Sequence, residues 1–235
     1  MALVSQPDYM AVMADATDWA AETETRLLDA ALPHVRALGW TSRLVRRAAS
    51  DAGLSPEEAE LSLPQGARDL VALFSYQRDE LTIAALAGLD ASALKVRERI
   101  SAGVQAWIGA ALGDETAVRR WTGFLALPQN LPLAARLAWR SADRIWRWAG
   151  DAATDENHYS KRAILAGLLT STLAVRLSNS PAAATRHLER GIDAVMAYER
   201  GKAKLKRRDF AAAAADLLGR LRYGARAPDE PATPV

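Results

Sequence analysis

With 235 residues, half of them apolar and a quarter charged, the chain has the make-up of one globular domain, with or without a tail. It contains no cysteine, which excludes disulfides, thiolate catalysis and thiolate metal sites and leaves the redox compartment open. A formal net charge of +2 excludes a molecule governed by one overall electrostatic bias.

Alanine, leucine and arginine dominate and strand formers are sparse, so the fold class is all-α. The longest uncharged stretches run to about a dozen residues, short of the roughly twenty that a bilayer requires. Residues 1–20 carry Asp8, Asp15 and Asp18 and no arginine, which is neither a secretory signal nor a basic transit peptide.

Residues 1–17 read as a flexible leader. The first helix is predicted from about Asp18 to Val35, with Trp19, Leu27, Ala30 and Ala31 on one face. Leu38-Gly39-Trp40 makes a turn, and Thr41 caps a second helix that carries Leu44, Val45 and Ala48 and ends near Gly53. Ser55-Pro56-Glu57-Glu58 is a capping box with proline in the first turn, and Pro64 ends that short third helix. Together these make a helix-turn-helix pattern over residues 18–65. The charges argue against DNA. The third helix offers Glu57, Glu58 and Glu60 and no basic or amide side chain, whereas phosphates need cations and bases are read mainly by Arg, Lys, Asn and Gln. No DNA partner is expected.

A fourth helix is predicted from about Gly66 to Leu89, a fifth from about Ala93 to Leu112, and a sixth opened by Asp114. The stretch Leu125–Gly167 organises the rest. Pro132 stands in the first turn of a seventh helix, on which Ala135, Trp139, Ala142, Trp146 and Ala149 recur at helical spacing with Ala138 and Ile145. Arg136, Arg140, Asp143, Arg144 and Arg147 take the other face. Gly150 stops it, Asp151 to Glu156 is a hinge, and Thr154 or Asp155 caps an eighth helix that is apolar nearly all round. Asn179-Ser180-Pro181 closes the eighth and opens a ninth, with Leu188, Ile192 and Val195 inward.

After Tyr198 the chain turns basic. Residues 201–227 are expected to form an amphipathic helix, with Phe210, Ala214, Leu217, Leu218 and Leu221 on one face. Arg207, Arg208, Arg220, Arg222 and Arg226 border that face. Such a helix suits an anionic lipid surface, or docks on the body as a tenth helix. Residues 228–235 read as a disordered tail.

No Gly-rich phosphate loop, nucleophile elbow or metal-ligand cluster is present, so no catalytic chemistry, no cofactor and no metal is expected. Asp155 and His158 are three apart on one helix, which is most simply a surface pair.

Several motifs carry a resemblance. Leu127-Pro128-Gln129-Asn130, Trp139-Arg140 with Asp143, Ile145-Trp146, Ala149-Gly150-Asp151, Thr154-Asp155, Asn157, Tyr159 and Lys161-Arg162 resemble the ubiquinone-biosynthesis accessory protein family. The likeness extends back to Leu27–Val35, Gly39-Trp40-Thr41 and Ala52-Gly53-Leu54-Ser55, and forward to Met196, so it covers most of the chain. It implies a TetR-repressor-like helical fold and a non-enzymatic, lipid-binding role in a homodimer paired through residues 155–198. It implies a bundle over residues 66–200 with an apolar pocket for an isoprenoid quinone or phospholipid. The expected lining is Leu73, Phe74, Ile100, Val104, Trp107, Trp139, Trp146, Leu165 and Leu169, although the tryptophans serve equally as core. It implies a peripheral membrane location, on the bacterial inner membrane or the mitochondrial matrix side. It also implies an exposed patch for a pathway hydroxylase, here Pro128, Asn157, His158, Tyr159 and Arg162, of which Tyr159 and Arg162 could instead be structural. The chain departs from the family there: Glu156 and His158 stand where the family has aromatics, which weakens or retargets that contact. The alternative reading is a TetR-type transcription regulator with a small-molecule pocket.

Overall fold

The computed structural model describes residues 6–151 and 156–197, with side chains over 19–151 and 159–197. The described residues are helices and turns without a strand. They comprise α1 (Gln6–Leu38), α2 (Ser42–Asp51), α3 (Pro56–Ser62), α4 (Ala67–Leu86), α5 (Val96–Leu112), α6 (Glu115–Leu125), α7 (Leu131–Trp148), α8 (Glu156–Ser178) and α9 (residues 181–197). Short 3-10 turns at Ala91–Ala93 and Pro128–Asn130 precede α5 and α7. The chain divides into two compact units, residues 1–189 and 190–235. Of the second, only residues 190–197 are described. The expected amphipathic helix and tail, with Arg207, Arg208, Phe210, Leu217, Leu218, Leu221 and Arg222, lie outside the described residues.

Local chemistry sets the boundaries. The Thr41 hydroxyl accepts from the Leu44 amide, at 3.4 Å. The Ser55 capping box is complete: Glu58 N–H donates to the Ser55 hydroxyl at 3.2 Å, and Ser55 N–H to the Glu58 carboxylate at 2.8 Å. The Asp114 carboxylate accepts from the Ala117 amide at 2.9 Å and starts α6. Gly39 has φ +62°, a left-handed conformation that lets the chain leave α1 and turn into α2.

α1 begins earlier than the sequence suggests. Residues 6–17 are helical and continuous with the rest of α1. Between Pro7, in the first turn where proline is tolerated, and Asp18 there is no breaker, and Met and Ala favour helix. The helix also runs through Pro33 to Leu38, forgoing one backbone bond to the Asp29 carbonyl.

In the first unit, α4 packs on α5 and α7, α1 on α2 and α6, and α8 on α7 and α5. Trp40 and Trp121 flank Phe74, with ring centroids 5.2 and 6.2 Å away. Both indoles are satisfied by backbone: Trp40 donates to Ala117 O at 3.3 Å and Trp121 to Val71 O at 3.2 Å. Trp40, read from sequence as part of a turn, is thus a core residue.

The α7 stripe is also corrected. Its buried side is Leu133, Leu137, Ser141, Ala142 and Ile145, continued by Ala149. Ala135 is exposed, and Trp139 and Trp146 are half-buried. The leucines centre the face on the core, and the tryptophans lie along its flank.

Candidate functional site

The segment from Leu127 through α8 concentrates the sequence motifs, and its geometry starts with the turn ahead of α7. Asn130 is buried, and its side-chain amide donates to Phe124 O at 2.9 Å, which ties the turn to the end of α6. Pro132 then occupies the first turn of α7. At the other end Gly150 takes φ +82°, and Asp151 N–H reaches back to Trp146 O at 3.0 Å. Arg99 clamps this end from α5, donating to Ala149 O at 2.7 Å and to Leu94 O at 2.8 Å.

Asp151 is thereby aimed at α8. It accepts from Lys161 Nζ at 2.7 Å and from Arg162 Nη1 at 3.1 Å. Burial alone would push its carboxyl up, but the hydrogen bonds from Lys161 and Arg162 hold it below its ordinary value. Arg162 Nε also donates to Asp143 Oδ1 at 2.6 Å, and Asp143 Oδ2 receives Arg147 Nε at 2.7 Å. Trp146 covers the cluster: its indole donates to Lys161 O at 3.1 Å, and the Lys161 ammonium stands 5.4 Å from its ring.

Arg162 is only 1 % exposed and so is no part of a surface patch. The expectation that it faces a partner is corrected: two carboxylates, one on α7 and one just beyond it, hold it inside. Of the other patch residues, Pro128 is exposed on the turn before α7, and Tyr159 is 65 % exposed with Trp139 beside it, ring centroids 6.0 Å apart. Leu127 and Leu131 extend the exposed apolar surface next to Pro128. The side chains of Asn157 and His158 lie outside the described residues, as does the Asp155–His158 pair.

The nine expected lining residues are unequally buried. Phe74, Ile100, Val104, Trp107, Leu165 and Leu169 are buried, and Leu73, Trp139 and Trp146 are half-buried. Phe74 and Trp107 line a void of about 10 Å³ with Trp121 and Arg78, room for about one water. Trp139 and Trp146 face α8 instead.

Three features escaped the sequence reading. Asp79 on α4 is 1 % exposed and accepts from the Ser141 hydroxyl of α7 at 2.6 Å; burial pushes its carboxyl above its ordinary value. Gly103 on α5 lies against Ile145 of α7, and any Cβ there would collide with the isoleucine methyl. An apolar groove of about 890 Å³ runs between α2 and α3, floored by Val45, Ala49, Leu54, Ala59 and Leu63. A glycine inside a helical pattern was the one legible signal among them.

The comparisons with known proteins fall on the same segment. The COQ9 family model matches residues 131–199. The chain is 29 % identical over 168 residues to the ubiquinone biosynthesis protein COQ9, mitochondrial, of Rattus norvegicus, covering 68 % of this chain and 53 % of that protein. It is 29 % identical over 173 residues to the protein of that name from Xenopus tropicalis, covering 68 % and 52 %. For the protein of that name from Homo sapiens the values are 28 % over 168 residues, covering 68 % and 52 %. The chain spans about half the length of the curated relatives it matches. The match to the COQ9 family model opens at Leu131, the first residue of α7, so α7, α8 and α9 carry the likeness to that family.

Proposed function

We propose that this chain acts in ubiquinone biosynthesis as a non-enzymatic, lipid-binding accessory protein, which takes up an isoprenoid quinone intermediate at the membrane and offers its ring to a hydroxylase. The observation that carries the reading is the likeness, over 68 % of the chain, to proteins named for ubiquinone biosynthesis. The physical task is extraction. Each CH₂ drawn from the bilayer costs about 0.8 kcal/mol unless an apolar wall replaces the lipid. In this reading Phe74, Ile100, Val104, Trp107, Leu165 and Leu169 supply that wall, with Leu73, Trp139 and Trp146 at its edge.

Tyr159 with Trp139, and Pro128 with its leucine neighbours, offer the hydroxylase an apolar contact, since exposed aromatics anchor interfaces. Arg162 acts beneath that surface by fixing the start of α8. Residues 201–227 bring the protein to an anionic membrane, and two copies pair through residues 155–198. The matched relatives are named mitochondrial, which agrees with a matrix-side inner-membrane site or its bacterial counterpart. Among the described residues no helix is long and apolar enough to cross a membrane.

The regulator reading needs α3 to enter a DNA groove. Glu57 and Glu60 are exposed on that helix, and repulsion from phosphate opposes it. Mass spectrometry of lipid extracted from the purified full chain tests the proposal. An isoprenoid quinone or its precursor is expected; protein free of any such lipid, yet binding one DNA sequence tightly and with steep salt dependence, sinks it.

A further inference from the structure

An open cleft of about 470 Å³ lies between α4 and α7, lined by Ile83, Arg140, Asp143, Arg144, Arg147 and Trp148. Its cations are not equally compensated. Arg144 is matched by Glu80, with Nη2 to Oε2 at 2.8 Å and a second bond alongside. Arg147 shares Asp143 with the buried Arg162, so one carboxylate serves two guanidinium groups. Arg140 comes no nearer than 3.5 Å to the Asp79 carboxylate, and burial biases that carboxyl toward its neutral form. Arg140 is held in place all the same: its guanidinium stacks on Tyr76, 4.2 Å from the ring centroid. Arg140, in a long ion pair, and Arg147, whose carboxylate is shared with an Arg162 that also reaches Asp151, therefore flank one cleft, seven residues apart on one face of α7. Planar guanidinium forks suit phosphate oxygens, and Ile83 with Trp148 adds an apolar wall beside them.

We propose that this cleft binds the phosphate of an anionic amphiphile, with Arg140 and Arg147 on the phosphate and Ile83 and Trp148 against the first carbons of its hydrocarbon. The inference deepens the lipid-carrier reading and rests on it for the choice of an amphiphile over a free phosphate. It places a phospholipid headgroup on the outside of the bundle, apart from the residues assigned to the tail of the quinone, which itself carries no phosphate.

The test is calorimetric titration of the full chain with dihexanoyl phosphatidic acid below its micellar concentration, with inorganic phosphate and dihexanoyl phosphatidylcholine in parallel. Saturable binding of phosphatidic acid is expected, with inorganic phosphate competing at lower affinity. Arg140→Gln/Arg147→Gln should weaken phosphatidic acid by about tenfold or more, the scale of losing charge-assisted hydrogen bonds. Arg147→Gln alone is the safeguard against misfolding: the side chain is 73 % exposed, and Asp143 keeps Arg162. It should weaken binding at an unchanged melting temperature. Trp148→Ala should lower affinity for phosphatidic acid and leave that for inorganic phosphate alone. Unchanged titration of both arginine variants, or equal affinity for phosphatidic acid, phosphatidylcholine and inorganic phosphate, overturns the proposal. Lipid extracted from the same preparation separates the two readings. Absence of any isoprenoid removes the carrier reading, and the titration still decides whether the cleft holds phosphate.

Discussion

Arg162 on α8 donates through Nε to Asp143 on α7 at 2.6 Å, and this buried ion pair ties the second long helix of the matched segment to the first. The same guanidinium reaches Asp151 at 3.1 Å, so three side chains from α7, the hinge and α8 are locked together. Removing the cation leaves Asp143 to Arg147 and Asp151 to Lys161, and takes away the bridge between them. Arg162→Met should therefore cost about 1.5–3 kcal/mol, the range for lost hydrogen bonds to charged groups. Urea unfolding of the variant measures the loss. A variant within about 1 kcal/mol of the parent, the range of a surface pair, would show the cluster to be ornamental.

Asp79 and Asp151 should shift stability in opposite senses with pH. Burial raises the Asp79 carboxyl, so the folded state holds that proton more tightly than the unfolded chain does. Its contribution is present below the unfolded value and is lost as pH rises through the raised folded value. Asp151 is lowered, so its contribution is present above the unfolded value and is lost as pH falls through the depressed one. Asp79→Asn keeps an acceptor for Ser141 and removes the charge, so it should raise the melting temperature near neutral pH and flatten its decline as pH rises above the ordinary carboxylate range. A melting profile against pH that parallels the parent throughout contradicts this assignment.

How much of this was legible in the sequence depends on the range of the interaction. Thr41, Ser55 with Glu58, Asp114 and Gly150 act on neighbours a few residues away, and each one starts or stops a helix where its type and spacing suggest. All-helical character followed from the same local signals. What failed needed a partner far along the chain. Trp139 and Trp146 fall at helical spacing but lie half-buried against α8, while Leu133 and Leu137 take the buried face of α7. Arg162 reads as surface until Asp143 and Asp151 are seen to enclose it. Asp79 is an acid in an exposed-looking run, and Ser141, which bonds it inside the bundle, lies 62 residues on.

Gly103 sets how closely α5 and α7 approach. A methyl group there meets Ile145, whose branched Cβ cannot retreat inside a helix. Gly103→Ala gains about 1 kcal/mol of helix propensity and loses about 1–3 to overpacking, so a net loss of up to about 2 kcal/mol is expected. Ile145→Leu removes the offending methyl at equal volume. The double variant should be more stable than the sum of the single effects requires. Additive effects in a double-mutant cycle would place the two helices further apart than they stand here.

Tyr159 and Arg162 separate recognition from folding within one turn of α8. Tyr159 is exposed, and its ring leans on Trp139. Tyr159→Ala should change stability by no more than about 0.5 kcal/mol, as surface substitutions do. If this patch is the hydroxylase contact, the same change should weaken capture of the enzyme by about tenfold or more, the size expected of an aromatic anchor. His158→Trp should strengthen it, because the neighbouring position would then carry a second aromatic. Deleting residues 202–235 provides the contrast: vesicle binding should fall while capture in solution persists. Capture that survives Tyr159→Ala but disappears with that deletion would move the partner's footprint from the start of α8 to the basic C-terminal segment, and the two variants together decide which surface the hydroxylase uses.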